Sequence, residues 1–284
     1  MKLLKLIPVL IIVLTSNILT IQAQSYTCLT YNIRYANEND GEDKWSIRKD
    51  FLIKQIQNQK PDFFGVQEAL ASQMDYLQEK LKIYQSIGGG RDDGFRKGEY
   101  AAIFYNSAKF KVMRKGQFWL SETPEEIGGI GWDAALPRIC TFALLKDIRT
   151  QKSFWVFNTH FDHMGELARE NSAKLIAQRA RELNSQNLPV VIMGDLNMEA
   201  ETEGIRILSD LYQDAKVWAK KTHEPQAGTF NGFKVNESAL PRIDYIFLSK
   251  DIKKIHSYVV LVEKPNGRYP SDHFPIVVKF EFSK

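Results

Sequence analysis

Ser271-Asp272-His273-Phe274-Pro275-Ile276-Val277-Val278-Lys279-Phe280 sets an acid beside an imidazole, then a proline, then an apolar run with the character of a last strand. Adjacent side chains on an extended segment point to opposite faces. Asp272 and His273 can therefore serve one site only where a strand meets a loop, and catalytic groups tend to sit at such places. Alone, an Asp beside a His is an ordinary surface or structural pair. Its weight comes from the rest of the chain, where polar residues of the same kind recur at other strand ends.

Apolar runs rich in β-branched and aromatic residues fall at 26–33, 63–66, 100–105, 110–120, 139–145, 154–157, 189–193, 243–248, 255–262 and 276–282. They predict about ten strands. Helical spacing places Trp45, Phe51, Leu52 and Ile56 roughly on one face over 45–59, before Pro61 stops the run. Over 165–187 it does the same for Leu167, Ile176, Ala180 and Leu183. So many strands with so few helices do not fit a simple alternation of the two. Two sheets packed face to face with helices outside, an α+β arrangement, accommodate the count.

The first residues form a separate unit. Lys2 and Lys5 precede an apolar stretch over 6–14, and Ile21-Gln22-Ala23 closes it. This charged, apolar, small-residue order predicts a secretory signal peptide over 1–23, cut near Ala23 to leave one domain over 24–284. The apolar run is too short to span a bilayer comfortably; the alternative is an uncleaved N-terminal anchor. The expected location is periplasmic or extracellular. The formal net charge is +4, and losing Lys2 and Lys5 leaves about +2, too near neutral to indicate nucleic acid by charge. Cys28 and Cys140 both fall inside apolar runs and are expected as buried free thiols. Nothing implies a protein partner, and a monomer is expected.

The polar strand ends are specific. The first strand runs into Asn32, and the second ends in Gln67-Glu68 after Phe63-Phe64-Gly65-Val66. Glu99 opens the third, and Asn158 and His160 finish the strand that begins at Phe154. Gly194-Asp195-Leu196-Asn197 follows Val190-Val191-Ile192-Met193, and Arg242 and Asp244 enter Tyr245-Ile246-Phe247. One Asp or Asn after a strand is ordinarily a turn residue; their recurrence points to a shared site. Carboxylate and amide oxygens are hard ligands suited to Mg2+, which takes one or two carboxylates and keeps several waters. Phosphate-ester hydrolysis needs a metal to offset charge, a positioned water, and donors facing the phosphoryl oxygens. Glu68 suits the metal. Asp195 suits the water as base or orienter, with Asn197 two residues on. His273 suits a phosphoryl oxygen if Asp244 keeps it oriented and charged.

Taken in order, Asn32, Gln67-Glu68, Asn158-Thr159-His160, Gly194-Asp195-Leu196-Asn197, Arg242-Ile243-Asp244-Tyr245 and Ser271-Asp272-His273-Phe274-Pro275 resemble the endonuclease/exonuclease/phosphatase superfamily. The resemblance runs from Asn32 to Pro275. It implies a four-layer α/β/β/α sandwich of two mostly antiparallel sheets, with the site at one end. It also implies metal-dependent hydrolysis of phosphate mono- or diesters, using Mg2+ with Mn2+ as a substitute. Glu68 would hold the metal with Asn32 and Asp272 close to it. Asp195 and Asn197 would handle the water and the phosphate, Asp244 would orient His273, and Glu99 would pair with His160. Arg138, Asn158 and Asp162 are the candidate substrate contacts, Arg138 being equally readable as a solvated charge.

The chain also departs from the general pattern. Phe161-Asp162-His163 carries two further polar groups past His160. By strand alternation Asp162 is expected to face the substrate with His160, and His163 to point away and cap or pack beside the following helix. Asn158-Thr159-His160-Phe161-Asp162-His163-Met164-Gly165 nearly spells the zinc signature of metallo-β-lactamase-type hydrolases, but Asn158 is a poor zinc ligand. That reading also leaves Glu68, Asp195 and His273 unexplained. A non-catalytic binding module on the same fold is a third reading, opposed by the intact set of polar residues. Gly88-Gly89-Gly90-Arg91-Asp92-Asp93-Gly94 is expected as a mobile loop, and Gly228-Thr229-Phe230-Asn231 could help shape the pocket. Export argues against DNA repair and messenger-RNA trimming. Extracellular nucleic acid, lipid head groups and sugar or inositol phosphates stay open as substrates.

Overall fold

The computed structural model describes residues 24–225, 228–234, 236 and 241–282; the expected signal peptide over 1–23 lies outside the described residues. The chain runs β1 (Ser25–Asn32), α1 (Trp45–Gln59), β2 (Phe63–Ala69), α2 (Ala71–Lys80), β3 (Tyr84–Ile87), β4 (Tyr100–Asn106), β5 (Phe110–Trp119) and β6 (Ile139–Asp147). It continues through β7 (Ser153–His160), α3 (Glu166–Leu183), β8 (Val190–Asp195), α4 (Glu203–Leu211), β9 (Tyr212–Asp214) and α5 (Ala215–Trp218). Last come β10 (Thr222–His223), β11 (Asp244–Ser249), β12 (Lys254–Val260) and β13 (Ile276–Glu281).

Among the described residues the strands form two mixed sheets. One has seven strands in the order β10-β12-β13-β1-β2-β4-β3, the other six in the order β5-β6-β7-β8-β11-β9. The pairs β1/β2, β7/β8 and β10/β12 are parallel, and the other pairings are antiparallel. Tyr26, Cys28, Phe63 and Ile276 from the first sheet pack against Phe154, Val156, Met193 and Ile246 from the second. On the outer faces, Leu29, Tyr31 and Phe64 meet Leu52, Ile56 and Leu77 of α1 and α2. Phe157, Ile192 and Phe247 meet Ile176, Ile205 and Leu208 of α3 and α4. The result is the expected four-layer order of helix, sheet, sheet, helix. Because the central strands are buried on both faces, they read as near-continuous apolar runs rather than as alternations. Both cysteines are buried and free, and burial raises both thiols above their ordinary range.

Local details differ from the expected helices. In α1 the buried positions are Arg48, Leu52, Ile53, Gln55 and Ile56, while Phe51 is half-buried outside that stripe. In α3 Leu167 is exposed, and the face is carried instead by small residues such as Ala168, Ala173, Ala177 and Ala180 around Ile176. The helix α2 goes unpredicted because its inner face carries a polar residue. Gln73 is fully buried, accepts from the Ala36 and Leu70 backbone N–H groups, and donates to the Arg34 carbonyl.

A polar seam locks the two sheets. Asn158 on β7 is fully buried; its Nδ2 donates across the interface to the Val66 and Ala102 carbonyls at 3.0 and 2.8 Å, and its Oδ1 accepts from Gln67 Nε2. Gly65 makes room for it, since a Cβ there would lie 2.4 Å from Asn158 Oδ1. Asn158 is thus a link between sheets, a correction to its reading as a substrate contact. We expect Gly65→Ala to destabilise by about 1–3 kcal/mol through overpacking. Asn158→Ala should cost about 1–3 kcal/mol by stranding buried polar groups. The double variant should be less destabilised than the sum of the two in urea melts, and additive costs would refute the seam.

Candidate active site

The direction of each strand gathers the site. β1 and β2 are parallel, so Asn32 and Gln67 are register partners at the same end, and antiparallel β13 begins there. In the second sheet β7 and β8 are parallel with His160 opposite Asp195, and β11 runs back with Asp244 opposite Asp195. Two backbone devices refine the aim. The β2–β4 register shifts between Val66 and Ala69, and Glu68 takes a positive φ of 62°. Such bulges re-aim side chains, and the strained conformation persists only when its surroundings hold it. At Gly194, φ is 148° and a Cβ would lie 2.0 Å from the Thr159 carbonyl oxygen, so β7 and β8 close fully only with glycine there.

These elements line a cleft of about 450 Å³ that includes Glu68, Asp195, Asn197, Asp272 and His273. His273 Nδ1 donates to Asp244 Oδ2 at 2.9 Å, and His273 Nε2 lies 3.7 Å from Asp195 Oδ2. Burial alone would lower this imidazole, but Asp244 and Asp195 outweigh it and hold its pKa well above the ordinary value. Asp195 is pushed up to about 7, first by burial and then by Asp244, with His273 and Asn32 opposing. Asp272 is pushed up to about 6, by burial first and with Glu68 adding to the rise, while His273 and Arg34 oppose it. Asn32 Nδ2 donates to both Glu68 Oε1 and Asp195 Oδ2 at 2.9 Å, while its Oδ1 accepts from the Arg34 N–H. Asn32 therefore spaces the two carboxylates with its nitrogen, while its oxygen holds the Arg34 backbone.

A second acid–imidazole pair lies beside the first. Asn197 Nδ2 donates to the Phe161 carbonyl and faces His160 Nε2 at 3.1 Å. His160 Nε2 thus accepts, and its Nδ1 faces Glu99 Oε2 at 3.8 Å. Burial first, then the Arg138 and Arg91 charges, hold His160 well below its ordinary pKa, so this imidazole is neutral where His273 is charged. Glu99 also accepts from Arg91 Nη1 at 2.7 Å. Arg91 arrives on the glycine-rich loop, which is tied by backbone bonds between Gly90 and Phe95, Arg91 and Glu99, and Asp92 and Lys97. The loop expected to be mobile is a bonded turn that delivers a guanidinium.

The residues after His160 reverse their expected directions. β7 ends at His160, so strand alternation does not extend to Asp162 and His163. Asp162 turns inward and accepts at Oδ1 from the Ala135, Met164 and Gly165 N–H groups, and at Oδ2 from Arg138 Nε at 3.2 Å. It is buried and positions Arg138, a correction to its reading as a substrate contact. His163 lines the cleft instead, as does Arg138. Sequence reasoning also passed over Arg34 and Tyr35, which line the same cleft. Arg34 pairs with Asp40 at 2.9 Å and approaches Asp272 at 3.8 Å. Their path is fixed by Arg48 of α1, whose buried guanidinium donates to the carbonyls of Ile33, Arg34 and Pro270. Phe230 packs its ring against His273 with centroids 5.0 Å apart, as the glycine-threonine-phenylalanine stretch suggested.

The donor set fits a hard divalent cation. Glu68, Asp195 and His273 each bring one ligand-type atom within 4.8 Å of the others. His273 is an imidazolium held by Asp244, and a protonated ring offers no lone pair to a metal. The oxygen donors open to a cation are the carboxylates of Glu68 and Asp272, with Asp195 close by. That set is all oxygen and crowded with like charge, conditions that favour Mg2+ over zinc.

Asp162→Ala leaves the Arg138 guanidinium buried and unpaired, and should destabilise the fold by about 3–5 kcal/mol. Burial would raise the Asp162 carboxyl, but three N–H donors and Arg138 overcome it and hold the folded pKa well below the ordinary range. Its contribution is therefore complete above the unfolded value of about 4 and is lost as pH falls below it. Urea melts of wild type and variant should differ less at about pH 3 than at about pH 6; an equal gap would refute the assignment.

A family model described as "Endonuclease/Exonuclease/phosphatase family" matches residues 29–273. A solved family protein from Bacteroides thetaiotaomicron is 37% identical with a TM-score of 0.88, and the match covers 92% of this chain and 99% of that one. A mannosyl-6-phosphatase from Bacteroides thetaiotaomicron VPI-5482 is 38% identical with a TM-score of 0.86, covering 90% of this chain and 100% of that one. The CCR4-Not complex 3'-5'-exoribonuclease subunit Ccr4 of Candida glabrata is 20% identical, over 93% of this chain and 37% of that protein. With most of its length matched and the polar strand ends gathered in one cleft, the chain belongs to the endonuclease/exonuclease/phosphatase family.

Proposed function

We propose that this family hydrolase is an exported, Mg2+-dependent phosphoric ester hydrolase acting on small phosphate esters of the sugar-phosphate class. The carrying observation is the line Asp244–His273–Asp195, in which a charged imidazole lies between a buried carboxylate and an acid whose pKa is about 7. The export part rests on Lys2, Lys5 and the apolar stretch that follows them. The sugar-phosphate part rests on the likeness to a mannosyl-6-phosphatase and on a net charge too near neutral for a nonspecific nucleic-acid binder.

Each side chain has a task in such a hydrolysis. Asp195 takes the proton of the attacking water, a role suited to an acid that titrates near neutral pH. The Asn197 backbone N–H donates to Asp195 Oδ1 at 3.0 Å and fixes the other oxygen toward the cleft. His273 donates its Nε2–H to a phosphoryl oxygen, and Asp244 keeps the ring turned and charged. A divalent cation held by Glu68 and Asp272 would supply further positive charge for the phosphoryl oxygens. Asn32 keeps Glu68 and Asp195 at a fixed spacing.

With Mg2+ present the protein should hydrolyse mannose 6-phosphate. Activity should be lost on chelation, return with Mg2+ or Mn2+, and resist zinc-selective chelators. Asp195→Asn and His273→Ala should each lower kcat by about 10²–10⁴-fold while circular dichroism shows intact folds. Variants that match wild type on every phosphoester tried would leave a binding module as the reading. Preferential turnover of plasmid DNA or RNA would replace the sugar phosphate with nucleic acid.

A further inference from the structure

The floor of the cleft is formed by His273, Asp195 and His160, all buried. A phosphoryl group seated there must send its ester alcohol toward the rim. Arg34, Tyr35, Leu136 and His163 line the cleft above that floor. His163 is 49% exposed at its side chain and stands three residues after the catalytic-floor imidazole of His160.

The tautomer of His163 follows from its partner. Arg138 Nη2 lies 2.9 Å from His163 Nδ1, and a guanidinium has no lone pair with which to accept. His163 Nδ1 must therefore accept, which leaves Nε2 as the nitrogen that carries the ring N–H. That N–H has no partner among the described residues. Arg138 is itself buried and held by Asp162 at Nε, so the ring is propped from behind by a fixed ion pair. The Asp162 carboxylate pairs with Arg138 at Nε, and His163 and the apolar Leu136 line the cleft together with Arg138. A ring N–H donor and an apolar side chain match a hydroxyl or ring oxygen set on a C–H face, the chemistry of a sugar.

We propose that His163 is a specificity-determining residue that reads the leaving alcohol, donating its Nε2–H to an oxygen of a polyhydroxylated leaving group. The inference rests on the phosphoesterase reading of the same cleft. Arg138 and Asp162 act through His163 as positioning residues, setting its tautomer and ring plane.

The test compares mannose 6-phosphate with p-nitrophenyl phosphate, whose leaving group has no hydroxyl to read. In His163→Ala the ratio of kcat/KM for the sugar ester to that for the aryl ester should fall about tenfold, mainly through KM for the sugar ester. His163→Gln, whose carboxamide nitrogen can reach the Nε2 position, should recover much of that ratio. A ratio unchanged in His163→Ala overturns this inference alone. If wild type with Mg2+ hydrolyses neither ester, the phosphoesterase reading fails and this inference falls with it.

Discussion

Like charge crowded into a low-dielectric cleft is the constraint around which this molecule is organised. Glu68, Asp195, Asp244 and Asp272 stand at adjoining strand ends, and burial raises the cost of ionising Asp195 and Asp272. The protein answers with fixed donors: the His273 ring between Asp244 and Asp195, and the Asn32 amide between Glu68 and Asp195. Such groups are costly to bury unless paired. The positive φ at Glu68 and the close strand contact at Gly194 are best understood as the backbone geometry this arrangement demands. The outer layers then hold the strand ends in place.

The two imidazoles show how environment divides similar groups. His273 holds Asp244 at hydrogen-bond distance and is charged, whereas His160, no nearer than 3.5 Å to Asp195 and 3.8 Å to Glu99, is kept neutral by burial and by the Arg138 and Arg91 charges. Opposite protonation states in neighbouring rings let one side of the cleft attract an oxyanion while the other stays electrically quiet. The sequence Asn158-Thr159-His160 and the sequence Ser271-Asp272-His273 cannot disclose this by themselves, because each depends on partners from distant strands.

What the sequence disclosed and what it withheld follow one physical line. Strand ends are short-range features, so Glu68, Asp195, Asp244 and His273 could be placed from the apolar runs beside them. The two-sheet layout was legible for the same reason. Roles that depend on where a strand stops were not. Asp162 and His163 exchange directions because β7 ends at His160, and Asn158 serves the sheet seam because Gly65 leaves room for it. Arg91 was hidden because a glycine-rich stretch gives no periodic signal, and α2 because a buried Gln73 breaks its apolar stripe.

Arg48 carries a consequence for how the rim of the cleft tolerates change. It grips the segment bearing Arg34 and Tyr35 by carbonyl oxygens alone, and every residue type supplies a carbonyl. The grip of Arg48 on that rim does not depend on the side chains displayed there, although Arg34 adds its own pair with Asp40. A substitution at 34 gives up the Asp40 pair but keeps the bonds that Arg48 makes to the backbone. A cation inside the outer layer thus anchors the rim through its backbone.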